Sequence, residues 1–297
     1  MMTRLEDQIT AWYAASARDL PWRRPGAGAW SILVSEFMLQ QTPVARVLPA
    51  HRAWLARWPA PAALAAASPA DAVRQWDRLG YPRRAIRLHA SARVITDRHG
   101  GQVPAALPAL LELPGVGAYT AAAVASFAFG QRHPVLDSNV RRVLARLIAG
   151  QQHQATSISA AETALAESLL PPADDRRSAT WSVALMELGA LVCTTARPSC
   201  QVCPVATDCA WRRSGSPPGS APRRQPPYAG SDRQCRGALL AELRTATGPV
   251  RAAALGAGWP DRRQRNRVLA ALAADGLAVS HDGGLVGLPG DDAPRAG

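Results

Sequence analysis

Four cysteines, Cys193, Cys200, Cys203 and Cys209, fall within seventeen residues in the spacing C-x6-C-x2-C-x5-C, while the fifth, Cys235, stands alone. Four thiolates this close can hold zinc or an iron–sulfur cube, since both accept ligation by four cysteines. A zinc ribbon usually pairs two C-x2-C knuckles. Here there is one, and Cys193 follows directly on a helical run, WSVALMELGALVC, which favours a [4Fe–4S] cluster. Four structurally buried thiols are the alternative reading, and Pro198, Pro204 and Asp208 argue against it by making the segment a loop. A disulfide scaffold is not expected in a chain long enough to bury a sizeable core and without a secretion signal at residues 1–15.

A second group of residues could hold an anion. Leu113-Pro-Gly115-Val116-Gly117 lies between two apolar helical stretches, and its glycines permit a tight turn whose backbone N–H groups, backed by the next helix, point at a phosphate. Further on, Asp137 opens a helix behind an apolar Val-Leu pair and ahead of Arg141 and Arg142. An aspartate so placed serves most often as a helix N-cap. The 34 basic side chains against 22 acidic ones leave a net charge of +12, and all 34 are arginine. Always-charged forks suit a polyanionic partner, so nucleic acid is the first suspect, with compositional bias toward Arg, Ala and Pro as the plain alternative. Without lysine, no side chain can form a Schiff base.

The elements that must position these residues are helical. Apolar residues recur three and four apart over 44–58, 70–78, 83–98, 104–112, 118–129, 138–149, 159–170 and 178–192, broken by Gly and Pro, which predicts an all-α fold. Residues 212–233, rich in Pro, Gly, Ser and Arg, read as a flexible linker. The 234–290 segment follows as a small C-terminal module of three helices (the second over VRAAALGAGW) and a short hairpin. That order suits a winged helix whose third helix carries Arg262, Arg263, Arg265 and Arg267 toward phosphates, with a structural cap as the alternative. Residues 291–297 form a tail. No apolar run approaches the ~20 residues needed to cross a bilayer, so a cytoplasmic chain is expected.

Taken together, LPGVG, the helix after it and LDSN some twenty residues on resemble the helix–hairpin–helix DNA glycosylases, whose motif ends in a catalytic Asp. The cysteine spacing is similar to the cluster loop of the endonuclease III and adenine glycosylase branches. Within that superfamily, DLPWR at 19–23, SEFMLQQTPVARV at 35–47, LGY at 79–81 and MELGALVC at 186–193 resemble the A/G-specific adenine DNA glycosylases of the MutY type. The resemblance covers residues 5–213.

It implies a two-lobed core: residues 1–27 with 135–211 as the cluster-bearing lobe, and 28–134 as a helical barrel lobe holding the helix–hairpin–helix at 104–129. It implies that Glu36 protonates adenine and later activates water, that Asp137 stabilises or captures the sugar cation, and that Tyr119 and Asn139 orient these groups. Two carboxyls in different settings suit a glycosidic cleavage through an oxocarbenium-like sugar. Burial of Glu36 in the apolar ILVSEFML run would keep it protonated, whereas the helix N-terminus would keep Asp137 charged. By the same resemblance Gln41 and Tyr81 are wedges beside the mismatch, with Thr42 and Leu113, Gly115, Val116 and Gly117 also on DNA. Arg18, Trp22 and Arg23 match the entrance of the adenine pocket. The partner implied is double-stranded DNA holding an adenine mispaired with 8-oxoguanine or guanine, bound by a nucleoid-associated monomer.

Tyr119 stands where the bifunctional branch has lysine, which implies base release without strand cleavage. A thymine or uracil mismatch glycosylase and a non-catalytic iron–sulfur DNA-binding protein are the rival readings; the SE-x-x-L-Q-Q-T helix and the intact Glu36 and Asp137 argue against them. The chain departs from the family at Ser182-Val183, where Asn-Gln is common, and at Pro82-Arg83-Arg84, where Tyr-Ser-Arg is common, so that Pro82 stiffens the wedge turn. Only about sixty-five residues follow the linker, too few for the family's usual 8-oxoguanine-recognition domain.

Overall fold

A computed structural model describes residues 2–172, 176–219 and 227–291. In chain order its first helices are α1 (Met2–Ser16), α2 (Ala29–Leu39), α3 (Val44–Arg57), α4 (Pro61–Ala65), α5 (Pro69–Trp76) and α6 (Arg83–Arg98). The middle of the chain forms α7 (Leu107–Leu111), α8 (Ala118–Phe129), α9 (Ser138–Leu147), α10 (Ala160–Ser168), α11 (Arg177–Leu191) and α12 (Ala210–Arg213). The last elements are α13 (Asp232–Thr245), β1 (Val250–Arg251), α14 (Arg262–Ala274), β2 (Val279–His281) and β3 (Leu285–Gly287). No described helix is long and apolar enough to cross a membrane.

The chain forms two compact units. The first holds Met1–Ile32, Ala105–Leu111 and Val116–Arg223. Its core joins Leu5 and Ile9 of α1, Val140, Val143, Leu144 and Leu147 of α9, and Trp181, Leu185 and Leu188 of α11, all buried. These apolar positions repeat every three or four residues, so each helix turns one stripe inward. α10 starts where the Ser159 side chain accepts the Glu162 N–H, a serine cap ahead of an alanine-rich run.

The second unit holds Leu33–Pro104, Glu112–Gly115 and Arg224–Gly297. A reciprocal capping box between Ser68 and Asp71, with Pro69 in the first turn, starts α5. Trp54 meets Trp58 and Trp76 edge to face, with ring centroids 4.6 and 5.6 Å apart, and closes α3 onto α5.

The C-terminal residues belong to this unit. α13 packs on α5 and α14, the Arg74 guanidinium donates to Ala246 O (3.1 Å) and Asp291 (2.7 Å), and Arg83 pairs with Asp275 at 3.1 Å. The three strands form an antiparallel sheet in the order β1-β3-β2, with Val250 and Ser280 on either side of Val286. One expected helix is absent: VRAAALGAGW forms β1 and then turns. Val250 finds its partner on β3, and Gly256 at φ +67° takes a conformation in which a helix cannot continue. Of the four arginines expected to face phosphates, Arg267 pairs with Asp232 (2.9 Å) and Arg265 donates to Ala253 O (3.2 Å), while Arg262 and Arg263 are exposed. The expected linker is helical at its start, in α12, and at its end, in α13, which begins at Asp232. Its residues 220–226, like 292–297 of the expected tail, lie outside the described residues.

Candidate active site

In the first unit, α9 begins at Asp137, whose extended backbone (φ −78°, ψ 175°) lets the carboxylate accept the Val140 N–H at 2.6 Å. Its other oxygen accepts Nδ2 of Asn139 at 2.8 Å. Arg142, one turn on, donates to Oδ1 of Asn139 (2.7 Å), which fixes the amide so that its N–H side faces Asp137. The same buried guanidinium donates to Gly189 O and Cys193 O, each at 2.7 Å. A single arginine thus ties the aspartate's orienting amide to the end of α11 and to the first cysteine. Burial pushes the Asp137 carboxyl above its ordinary value of 3.8, against the pull of the Val140 N–H, the Asn139 amide and the Arg142 charge. The direction is opposite to the one expected from the helix terminus alone, because desolvation outweighs the cap. Tyr119, in the first turn of α8, packs against Ala122, Ala123 and Val135.

The DLPWR segment makes a single 3-10 turn, Pro21–Arg23, with Trp22 buried. Arg18 and Arg23 both close on Glu187 of α11. Arg18 donates from Nε and Nη2 to the two carboxylate oxygens at 2.7 Å each, and Arg23 donates from Nη1 at 2.7 Å. Burial pushes the Glu187 carboxyl up, but the hydrogen bonds and charges of Arg18 and Arg23 outweigh it and hold the group at about 2. Glu187, fully buried, is marked in the sequence only as an acid within the otherwise apolar MELGALVC. Arg142 is marked in the sequence only as a basic residue after Asp137, and its role comes from the contacts to Asn139, Gly189 and Cys193.

Cys193, Cys200, Cys203 and Cys209 are free thiols lining one small cavity, together with Arg146 and Trp211. Nη1 of Arg146 lies 3.3 Å from Sγ of Cys193, and its guanidinium stacks over Trp211 at 5.0 Å. Among the described residues no three ligating side chains converge as they would on a single metal ion. Four thiols spread around a cavity, with arginine beside one sulfur and no carboxylate in the lining, suit a larger thiolate-bound group. Burial pushes the Cys203 thiol up to about 11, so a bound metal must displace its proton.

In the second unit, Glu36 lies on α2 at 3% exposure among the buried Val34, Ser35, Phe37 and Met38. Past the end of α2, Gln41 is exposed at φ +56°, and Thr42 is buried with its hydroxyl donating to Leu79 O at 3.1 Å. Tyr81 is exposed by 56% and also takes a positive φ, +46°. In the hairpin, Leu113 is buried and the Pro114 carbonyl accepts Ser91 Oγ at 2.6 Å. Gly115 has φ +83°, and a Cβ there would meet Arg87 Cβ at 2.7 Å and Phe37 at 3.1 Å, so both its backbone and its surroundings require glycine. In the first unit, Val116 is buried and Gly117 caps α8 without a side-chain acceptor.

Residues 34–168 match the family described as HhH-GPD superfamily base excision DNA repair protein. The chain is 50% identical over 285 residues to the adenine DNA glycosylase of Mycolicibacterium smegmatis, covering 96% of each chain. It is 50% identical over 288 residues to that of Mycobacterium tuberculosis, covering 96% of this chain and 94% of the relative. Among solved structures, a thermostable thymine-DNA glycosylase superposes with a TM-score of 0.64 at 27% identity, over 72% of this chain and 97% of the other.

Proposed function

The chain belongs to the adenine DNA glycosylases of the HhH-GPD superfamily, and from that membership we propose that it removes adenine mispaired with 8-oxoguanine or guanine, leaving an abasic site in uncut DNA. It is a base excision repair glycosylase. In the reaction we assign, Glu36 gives its proton to adenine as the glycosidic bond breaks, the sugar becomes an oxocarbenium-like cation, and water adds to its anomeric carbon while returning a proton to Glu36. Asp137 stabilises the cation, Asn139 orients Asp137, and Tyr119 helps to orient the reacting groups. The observation that carries the reading is the setting of Asp137. Burial strips the carboxylate of solvent, and a cation arising beside it supplies the attraction that water does not, so its pull is strongest in the transition state.

Gln41 and Tyr81 are assigned to the DNA stack, which must be opened to reach the base. Thr42, Leu113 and Gly115 support the same contact. Val116, Gly117 and the uncapped first turn of α8 suit a backbone phosphate. Arg18, Trp22 and Arg23 shape the base pocket, now with Glu187 as the group that holds the two arginines. The four cysteines would hold a [4Fe–4S] cluster, which supplies a rigid four-thiolate tie across the loop after α11. Without lysine, strand cleavage through a side-chain imine is not expected. The protein is assigned to the nucleoid as a monomer. A thymine or uracil mismatch glycosylase is the second reading, favoured by Val183 where the family commonly has glutamine.

Asp137→Asn keeps the shape and the cap on Val140 but loses the bond from Asn139 and cannot carry the charge. Base release should vanish while binding to the mismatch persists, measured by single-turnover assay and gel shift; near wild-type release would sink the assignment.

A further inference from the structure

Gln41 and Tyr81 stand 40 residues apart in sequence, both exposed and both in the left-handed region, at φ +56° and +46°. For residues other than glycine that conformation is strained and persists only where the surroundings enforce it. Thr42 joins the two segments through its hydroxyl, and Arg84 joins them at several points. Arg84, at 5% exposure, donates from Nη1 to the carbonyls of Phe37 (2.7 Å), Met38 (2.9 Å) and Gln40 (2.6 Å), the last acceptors before Gln41. From Nη2 it donates to Thr42 Oγ1 (2.9 Å) and to Gly80 O (3.0 Å), immediately ahead of Tyr81. Its guanidinium lies 5.1 Å from the Trp76 ring on one side and 5.5 Å from the Tyr81 ring on another.

We propose that Arg84 is a positioning residue that sets Gln41 and Tyr81 as one rigid pair toward the DNA duplex, so that both enter the stack in a single step. The proposal rests on the reading of these two side chains as the ones that open the stack. The planar fork is what the geometry requires. One nitrogen satisfies carbonyls left open at the C-terminus of α2, the other holds the Leu79–Gly80 turn, and the rigid carbon between them fixes the distance from one segment to the other. Burial lowers the guanidinium to about 10, so it stays charged at neutral pH. Lysine, a point charge with three donors, could serve one segment but not span both.

The test uses the full chain with Arg84→Met, Arg84→Lys and the double variant Gln41→Ala/Tyr81→Ala. Two duplexes carry the target adenine opposite 8-oxoguanine: one fully paired around the mismatch, the other with the adenine in a bubble of unpaired bases. A 2-aminopurine beside the adenine reports unstacking by fluorescence. Arg84→Met should lose most of the fluorescence rise and release adenine from the paired duplex roughly 10- to 100-fold more slowly, the scale on which misplacement by about an ångström acts. Release from the bubble should change less than threefold. Arg84→Lys should fall between, and adding Arg84→Met to the double alanine variant should cost nothing more. If the double variant unstacks normally, the wedge reading itself fails. If it loses unstacking while Arg84→Met and Arg84→Lys both keep it, only the role of Arg84 is overturned. Equal loss on both duplexes by Arg84→Lys, the milder change, would mean a general structural role and would also overturn it.

Discussion

Gly189 sits where α11 crosses α9 beside the aspartate's orienting amide. A Cβ at this position would lie 2.6 Å from Asn139 Cβ, 2.9 Å from Asn139 O and 3.0 Å from its carbonyl carbon. Two of the three are backbone atoms, so no rotamer change relieves the clash. Restoring an ordinary contact of about 3.4 Å requires α9 to retreat by about 0.8 Å at its first turn. That shift pulls on the 2.8 Å bond from Asn139 to Asp137 and on the 2.7 Å bond from Arg142 to Gly189 O. Gly189→Ala should therefore cost about 1–3 kcal/mol of stability, as overpacking usually does. Adenine release should slow by about 100-fold, since the carboxylate loses its aim, with DNA affinity changed only a few-fold. Single-turnover release scored by alkaline cleavage at the abasic site, a gel shift and a thermal melt separate the three quantities. A folded Gly189→Ala protein that releases adenine within threefold of wild type would refute the claim that Asn139 holds Asp137 in working geometry.

The pH behaviour of Asp137 follows from the sign of its shift. Because its folded value is raised, the carboxyl adds stability only below about pH 4 and loses that contribution as pH rises through the folded value, so the melting temperature of Asp137→Asn relative to wild type should rise from pH 4 to pH 7, whatever the lost Asn139 hydrogen bond costs at both. Purified protein should be brown, absorb near ~400 nm and hold about four irons per chain; one zinc and no iron in protein prepared without air would remove the cluster assignment. Borohydride should trap little covalent complex with DNA, and the abasic product should stay uncut until alkali is added; nicking that keeps pace with adenine release, in preparations free of contaminating lyases, would contradict the role given to Tyr119.

Most helices were legible because their apolar residues repeat every three or four positions: the run expected over 118–129 is α8, and that over 83–98 is α6. The cap at Asp137 was legible too, since it depends on a residue type at a helix start. The direction of its titration was not, because burial there comes from how α9 and α11 pack. Glu187 escaped for a related reason: its partner Arg18 lies 169 residues away, and only folding brings them together. Arg84 reads as one arginine in a helix until its carbonyl acceptors, 44 to 47 residues earlier in the chain, are in place. The false helix over VRAAALGAGW had good local composition, and what overrode it was a strand partner 36 residues on, Val286.

Glu36, Asp137 and their supports are assigned to adenine rather than to another base. Single-turnover release should be measured on four duplexes differing only in the mismatch: adenine opposite 8-oxoguanine, adenine opposite guanine, thymine opposite guanine and uracil opposite guanine. Alkali-revealed abasic sites should form on the two adenine duplexes and none above background on the others. Release of thymine or uracil with adenine left in place would contradict the assignment.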